Sequence, residues 1–140
     1  MNPCLFCEIA AGRVPAVKVY DDETCLAFMD IQPVNPGHVL VVPKVHAQHL
    51  ENLKEGTGGH VFEAARRVAK GVRSSGVLCD AITFLLSDGE AAGQEVFHVH
   101  LHVIPRFRGD RFGLKFSPTY GEQPKHAELE ELAGRIKAGL

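Results

Sequence analysis

Three of the chain's eight histidines stand at alternate positions in His98-Val99-His100-Leu101-His102. A β-strand turns successive side chains to opposite faces, so this spacing sets three imidazoles in a row on one face. Val99, Leu101 and Val103 point the other way, into a core. Each ring brings nitrogens that need partners and can change charge near neutral pH, a costly addition to a purely structural strand. An exposed histidine-rich strand without a role, a zinc or copper site, and nucleophilic catalysis all fit the pattern. In the last, the central His100 attacks through one ring nitrogen while the other donates a hydrogen bond that fixes the tautomer. A flanking histidine then donates to phosphate oxygens as charge develops.

Upstream, Asp88-Gly89-Glu90-Ala91-Ala92-Gly93 is a small-residue loop that leads through Gln94 into the strand. Such a loop lets backbone approach a phosphate closely, and Gln94 offers an amide donor beside it. A second group with chemistry is Cys4-Leu5-Phe6-Cys7, whose C-x2-C spacing lets two thiolates grip one tetrahedral metal. Two soft ligands need two more, and histidines are the nearest candidates. Free thiols or a redox pair are the alternatives, the redox one without its expected βαβ context.

The elements that must hold these groups follow from periodicity. Residues 4–11 read as a short helix or turn closed by Gly12. Residues 16–21 and 24–30 read as strands joined by Asp21-Asp22-Glu23, and 38–42 as a buried strand stopped by Pro43. Residues 57–74 place Val61, Phe62, Ala65, Val68, Ala69 and Val72 on one helical stripe, with Thr57 as cap. Residues 81–87 and 96–104 are the last strands, 106–124 an irregular tail, and 126–138 a terminal helix. The expectation is an α+β domain of about five antiparallel strands with one long helix on a face and short flanking helices.

A net charge of −2 and a pI near 6.4 supply no basic field for nucleic acid or an anionic membrane. No stretch approaches the ~18 apolar residues of a membrane span, and the first residues carry no secretory pattern, so the expected compartment is the cytoplasm. A length of 140 residues suits one domain, 1–140, with a motif-bearing core at about 4–106 and a tail and helix at 107–140. Cys25 and Cys79 read as small hydrophobes, and His38, His60 and His126 receive no function.

The run Gln94-Glu95-Val96-Phe97-His98-Val99-His100-Leu101-His102-Val103-Ile104-Pro105-Arg106 resembles the signature of the histidine triad (HIT) family. The similarity extends through Phe28-Met29-Asp30-Ile31, Gly37-His38 and Pro43-Lys44-Val45-His46. The resemblance implies a five-stranded antiparallel sheet and a homodimer that joins two such sheets. It implies a nucleotide phosphohydrolase, acting through a covalent nucleotidyl-histidine on a phosphoramidate or dinucleoside polyphosphate with a purine nucleotide. The same intermediate would serve a nucleotidyl transferase or phosphorylase, and a nucleotide-binding regulatory or scaffold protein is the rival class.

Position by position, the resemblance makes His100 the nucleophile, His102 a phosphate-contacting partner and His98 a positioning residue. Asp30 would accept ribose hydroxyls, while Leu5, Phe6, Phe28 and Ile31 would line the base slot. Ser87 stands where many members carry Asn, and Glu95 where the phosphoramidase branch carries Ser; both belong to the phosphate end, with Gln94. Members with an N-terminal cysteine pair complete a structural zinc site that maps to Cys4, Cys7, His46 and His98, with His49 as substitute. No catalytic cofactor is implied.

Overall fold

The computed structural model describes residues 3–140, in two compact units, residues up to 110 and residues 111–140. The first unit contains α1 (Leu5–Ala10), β1 (Lys18–Asp21), β2 (Cys25–Met29), β3 (Val39–Pro43), α2 (Thr57–Ser74), β4 (Ala81–Leu85) and β5 (Leu101–Arg106), with two 3-10 turns at Leu50–Asn52 and Glu90–Ala92. All strand pairings are antiparallel, in the order β1-β2-β3-β5-β4. Asp22 shapes the first hairpin, its Oδ1 accepting from the backbone N–H groups of Thr24 and Cys25 at 2.8 and 2.7 Å.

The sheet is covered on both faces, so β2 and β3 are buried along their length. One face carries Cys25, Ala27, Val39, Val41, Leu101 and Val103 against α2. On the helix the matching residues are Val61, Ala64, Ala65, Val68, Ala69 and Val72, an i, i+3, i+4 stripe. The other face carries Leu26, Phe28, Leu40 and Val42 against Phe6 and Ile9 of α1. This second face is the one that receives the histidines.

The structure differs from expectation in three places. Helix α2 begins at Thr57 behind Gly56, which takes the left-handed conformation (φ 85°), so Thr57 is not the cap and Gly58 and Gly59 are helical. Phe62 lies next to the buried stripe and is exposed, its ring tilted against Phe84 of β4 with centroids 5.8 Å apart; one residue from Val61 is a rotation of about 100°, enough to leave the core. The last strand runs 101–106 instead of 96–104. Residues 96–100 leave the ladder, Val99 N–H donating to Ala47 O at 2.8 Å instead. Pro105 is tolerated within β5 because β3 pairing ends at Val103, beyond which the Pro105 carbonyl takes Asn35 Nδ2 at 2.8 Å.

In the second unit, α3 (His126–Ala138) forms where predicted and carries Leu129, Leu132 and Ile136 exposed along one stripe. Phe116 and Tyr120 stack at 3.9 Å. Among the described residues, no helix is long and apolar enough to cross a membrane.

Candidate active site and metal centre

The three triad histidines share the α1 face of the sheet, as strand alternation requires, although only His102 lies within β5. His98 and His100 are buried, and Phe6 of α1 packs edge-on against both rings at 5.9 and 5.2 Å. The hydrogen bonds of each ring settle where its proton sits. His100 Nδ1 lies 2.7 Å from His98 O, a group that only accepts, so Nδ1 carries a hydrogen and, in the neutral ring, the lone pair is on Nε2. A neutral imidazole so held is a nucleophile.

His102 is fixed through a residue to which sequence reasoning gave no role. His38 is fully buried; its Nδ1 accepts from Val34 N–H at 3.0 Å, so its proton is on Nε2. That Nε2–H reaches His102 Nδ1 at 2.9 Å, with Asp30 Oδ2 further away at 3.5 Å. His102 therefore accepts at Nδ1 and presents Nε2–H as a donor. Burial holds His38 below its ordinary value, against the pull of Asp30. Burial, with His100 and His38 nearby, pushes His102 down to about 4. Both rings are neutral at pH 7, and the tautomer assignment stands. The Gly37-His38 pair, which the motif comparison singled out, was the signal that could have marked His38.

His98 faces a different group. Its Nε2 donates to Pro43 O at 2.7 Å, which leaves Nδ1 aimed at Cys4 Sγ (3.4 Å), Cys7 Sγ (3.5 Å) and His46 Nδ1 (3.3 Å). Cys7 Sγ is in turn 3.4 Å from His46 Nδ1. Four-coordinate tetrahedral zinc, with Zn–S about 2.3 Å and Zn–N about 2.0–2.1 Å, sets its donors roughly 3.3–3.8 Å apart. The four side chains thus match a tetrahedral donor set, within a single 4.8 Å cluster. Burial and the adjacent Cys4 push the Cys7 thiol up to about 11, and a cation bound there would favour its thiolate. Burial also holds His98 below its ordinary value, neutral as a ligand must be. His49 is outside the cluster, paired with Asp88 at 2.8 Å.

Of the remaining residues, Phe6 and Phe28 are buried and meet edge-on at 5.4 Å, while Leu5 and Ile31 are exposed. Asp30 ends β2, accepting from Gln32 N–H at 2.8 Å. Ser87 lies beside Gly93, its Oγ 4.0 Å from where a Cβ would stand. Glu95 is exposed. Gln94 is buried and does not offer its amide outward: Nε2 donates to Gln48 O (2.9 Å) and Val96 O (3.2 Å), and Oε1 accepts from Gly89 N–H (2.8 Å). It braces the small-residue loop. Arg106, the last residue of the motif run, grips Asp110 at 2.6 Å and Thr83 at 3.0 Å. Two clefts, of about 370 and 530 Å³, lie on the opposite, α2 side of the sheet.

Residues 11–109 match the HIT domain family model. A crystal structure of a HIT family member from Bacillus subtilis superposes with a TM-score of 0.90 at 37% identity, covering 99% of this chain and 98% of that one. A zinc-bound histidine triad family protein from Mycobacterium smegmatis superposes with a TM-score of 0.75 at 34% identity, covering 98% and 97%. An adenosine 5'-monophosphoramidase of Schizosaccharomyces pombe is 33% identical over 137 residues, 96% of this chain and 98% of that protein.

Proposed function

Because the chain belongs to the HIT family, we propose that it is a nucleotide phosphohydrolase that cleaves a nucleoside 5'-monophosphate from a phosphoramidate or dinucleoside polyphosphate. The observation that carries this reading is the pair of ring nitrogens at its centre. The neutral His100 ring keeps its hydrogen on Nδ1, held by His98 O, so that Nε2 carries the lone pair that attacks, and the neighbouring His102, 4.9 Å away ring to ring, offers Nε2–H. Nucleophile and oxyanion donor thus stand side by side with opposite protonation.

In the first step His100 Nε2 attacks the α-phosphorus, the N–P bond forms, and the leaving group takes the electron pair of the broken bond. The ring becomes cationic as it is phosphorylated, and His98 O, accepting from Nδ1–H, stabilises that charge. His102 Nε2–H stabilises the phosphoryl oxygens. Water then attacks the phosphorus: its oxygen forms the new P–O bond, the N–P electron pair returns to Nε2, and the proton water loses passes to solvent as the monophosphate leaves. Asp30 is the ribose acceptor, and Leu5 and Ile31, exposed beside buried Phe6 and Phe28, are the outer walls of a purine slot. Ser87 and Glu95 stand at the leaving-group end.

Cys4, Cys7, His46 and His98 would hold a zinc in a structural role, tying α1 to the segment whose carbonyl orients His100, a reading supported by the zinc-bound mycobacterial relative. A cytoplasmic setting keeps such thiols reduced. The exposed Phe62–Phe84 pair beside edge strand β4 supports a homodimer in which two sheets meet there. Replacing His100 with Ala should abolish release of adenosine monophosphate from adenosine 5'-phosphoramidate and remove the trapped nucleotidyl-protein. Turnover at near wild-type rate in that variant sinks the mechanism.

A further inference from the structure

Resting on the reading of His102 as the phosphate donor, we propose that Asn35 is a positioning residue that sets the protonation of His102 from outside the site. The clamp starts at the end of β5. Arg106 holds Asp110 through Nε and Nη2 at 2.6 and 3.0 Å, and Phe107 N–H donates to the same carboxylate at 3.3 Å. Asn35 is buried, and its Nδ2 donates both to Asp110 Oδ2 (3.0 Å) and to Pro105 O (2.8 Å). Its own carbonyl accepts from His38 N–H at 3.2 Å. Next to it, Gly37 lies so close to β5 that a Cβ would stand 3.2 Å from Pro105 Cγ and from Val77 Cγ2. Segment 34–38 is therefore pinned to β5 at several points, and Asn35 is the side chain that does it.

The consequence is chemical. The pinned segment presents Val34 N–H to His38 Nδ1 at 3.0 Å. That bond forces the His38 proton onto Nε2, from where it is donated to His102 Nδ1. His102 must then carry its own proton on Nε2, facing the transferring phosphate. If Val34 N–H is withdrawn, His38 is free to protonate at Nδ1 and accept at Nε2. His102 then turns its proton to Nδ1 and aims a lone pair at phosphate oxygens, which is repulsive. Two neutral imidazoles in series transmit a choice of tautomer made at a backbone amide, because each ring has one donor and one acceptor. Asn35 itself touches no reacting atom.

The test uses the full chain and two readouts. Long-range nitrogen–proton correlation spectra report the tautomer of each histidine without substrate. Wild type should show His38 and His102 protonated at Nε2, and Asn35→Ala should shift both toward Nδ1. With adenosine 5'-phosphoramidate, Asn35→Ala should lower kcat about tenfold with KM little changed, since the loss falls on transition-state donation. In a His38→Gln background the same substitution should cost nothing further, because the relay is already cut. Should Asn35→Ala fold poorly, Asp110→Asn weakens the same clamp from its other end and should move the tautomers in the same direction. Unchanged tautomers in a folded variant, or full additivity with His38→Gln, overturn the proposal. The spectra do so independently of turnover, so a failure of the hydrolase reading, seen with His100→Ala, is distinguishable from a failure of the clamp.

Discussion

The depressed His102 makes a quantitative claim about acid stability. Desolvation is the main cause, and His100 and His38 add to it, taking the ring from 6.5 to about 4. As pH falls from 7, the unfolded chain protonates this histidine near 6.5, whereas the folded one stays neutral until about 4. The unfolded state then binds more protons, so stability falls on acidification; above pH 7 the effect is absent. Linkage gives ~2 kcal/mol lost at pH 5 and ~3 kcal/mol by pH 4 from this residue. His38, lowered by burial, adds in the same direction. The perturbation is His102→Gln, which keeps an acceptor for His38 Nε2–H and cannot titrate. Urea denaturation of both proteins at pH 7, 6, 5.5 and 5 gives two stability curves. Their difference should narrow by ~2 kcal/mol between pH 7 and 5, in the direction of a relative gain for the variant. Zinc loss on acidification affects both proteins and cancels. Parallel curves would refute a neutral, desolvated His102 and with it the tautomer argument.

Three further outcomes follow from the same geometry. Cys7→Ser should lower the metal content from about one zinc per chain and reduce the melting temperature, read by elemental analysis and calorimetry; full zinc retention would count against the four-residue site. Phe6→Ala removes a buried ring that touches Phe28, His98 and His100, and should cost about 3 kcal/mol in denaturant unfolding together with activity. Phe62→Glu places a charge on the exposed apolar pair beside β4. On the proposed homodimer, sedimentation should show dimer for wild type and monomer for the variant; a dimer in both would move the interface elsewhere, and a monomeric wild type would refute the dimer.

Much of this protein was legible before folding was considered. Alternation in residues 98–102 pointed to three imidazoles on one face, and the structure keeps them together although His98 and His100 precede β5. Apolar spacing marked α2, and C-x2-C marked a metal grip. Where legibility failed, the cause was competition the sequence does not display. The histidine segment reads as one strand from 96, yet the ladder starts at 101 because Ala47 O takes Val99 N–H. Phe62 fits a helical stripe by composition but faces outward beside Phe84. Gln94 looks like a phosphate donor by residue type, but its amide is taken up inside the fold, by Gln48 O and Val96 O.

The sequence by itself determined which groups are candidates for chemistry: His100 and His102 at alternate positions, and two thiols three positions apart at Cys4 and Cys7. Only the tertiary structure decided what each ring is. Residue type leaves a neutral histidine two equivalent nitrogens, and the choice between them comes from groups distant in sequence. Pro43 O turns His98 Nδ1 toward the cysteines, His98 O holds the Nδ1–H of His100, and Val34 N–H sets the His38 proton on Nε2, facing His102 Nδ1. Proton placement is a property of contacts, and contacts exist only once the chain has folded.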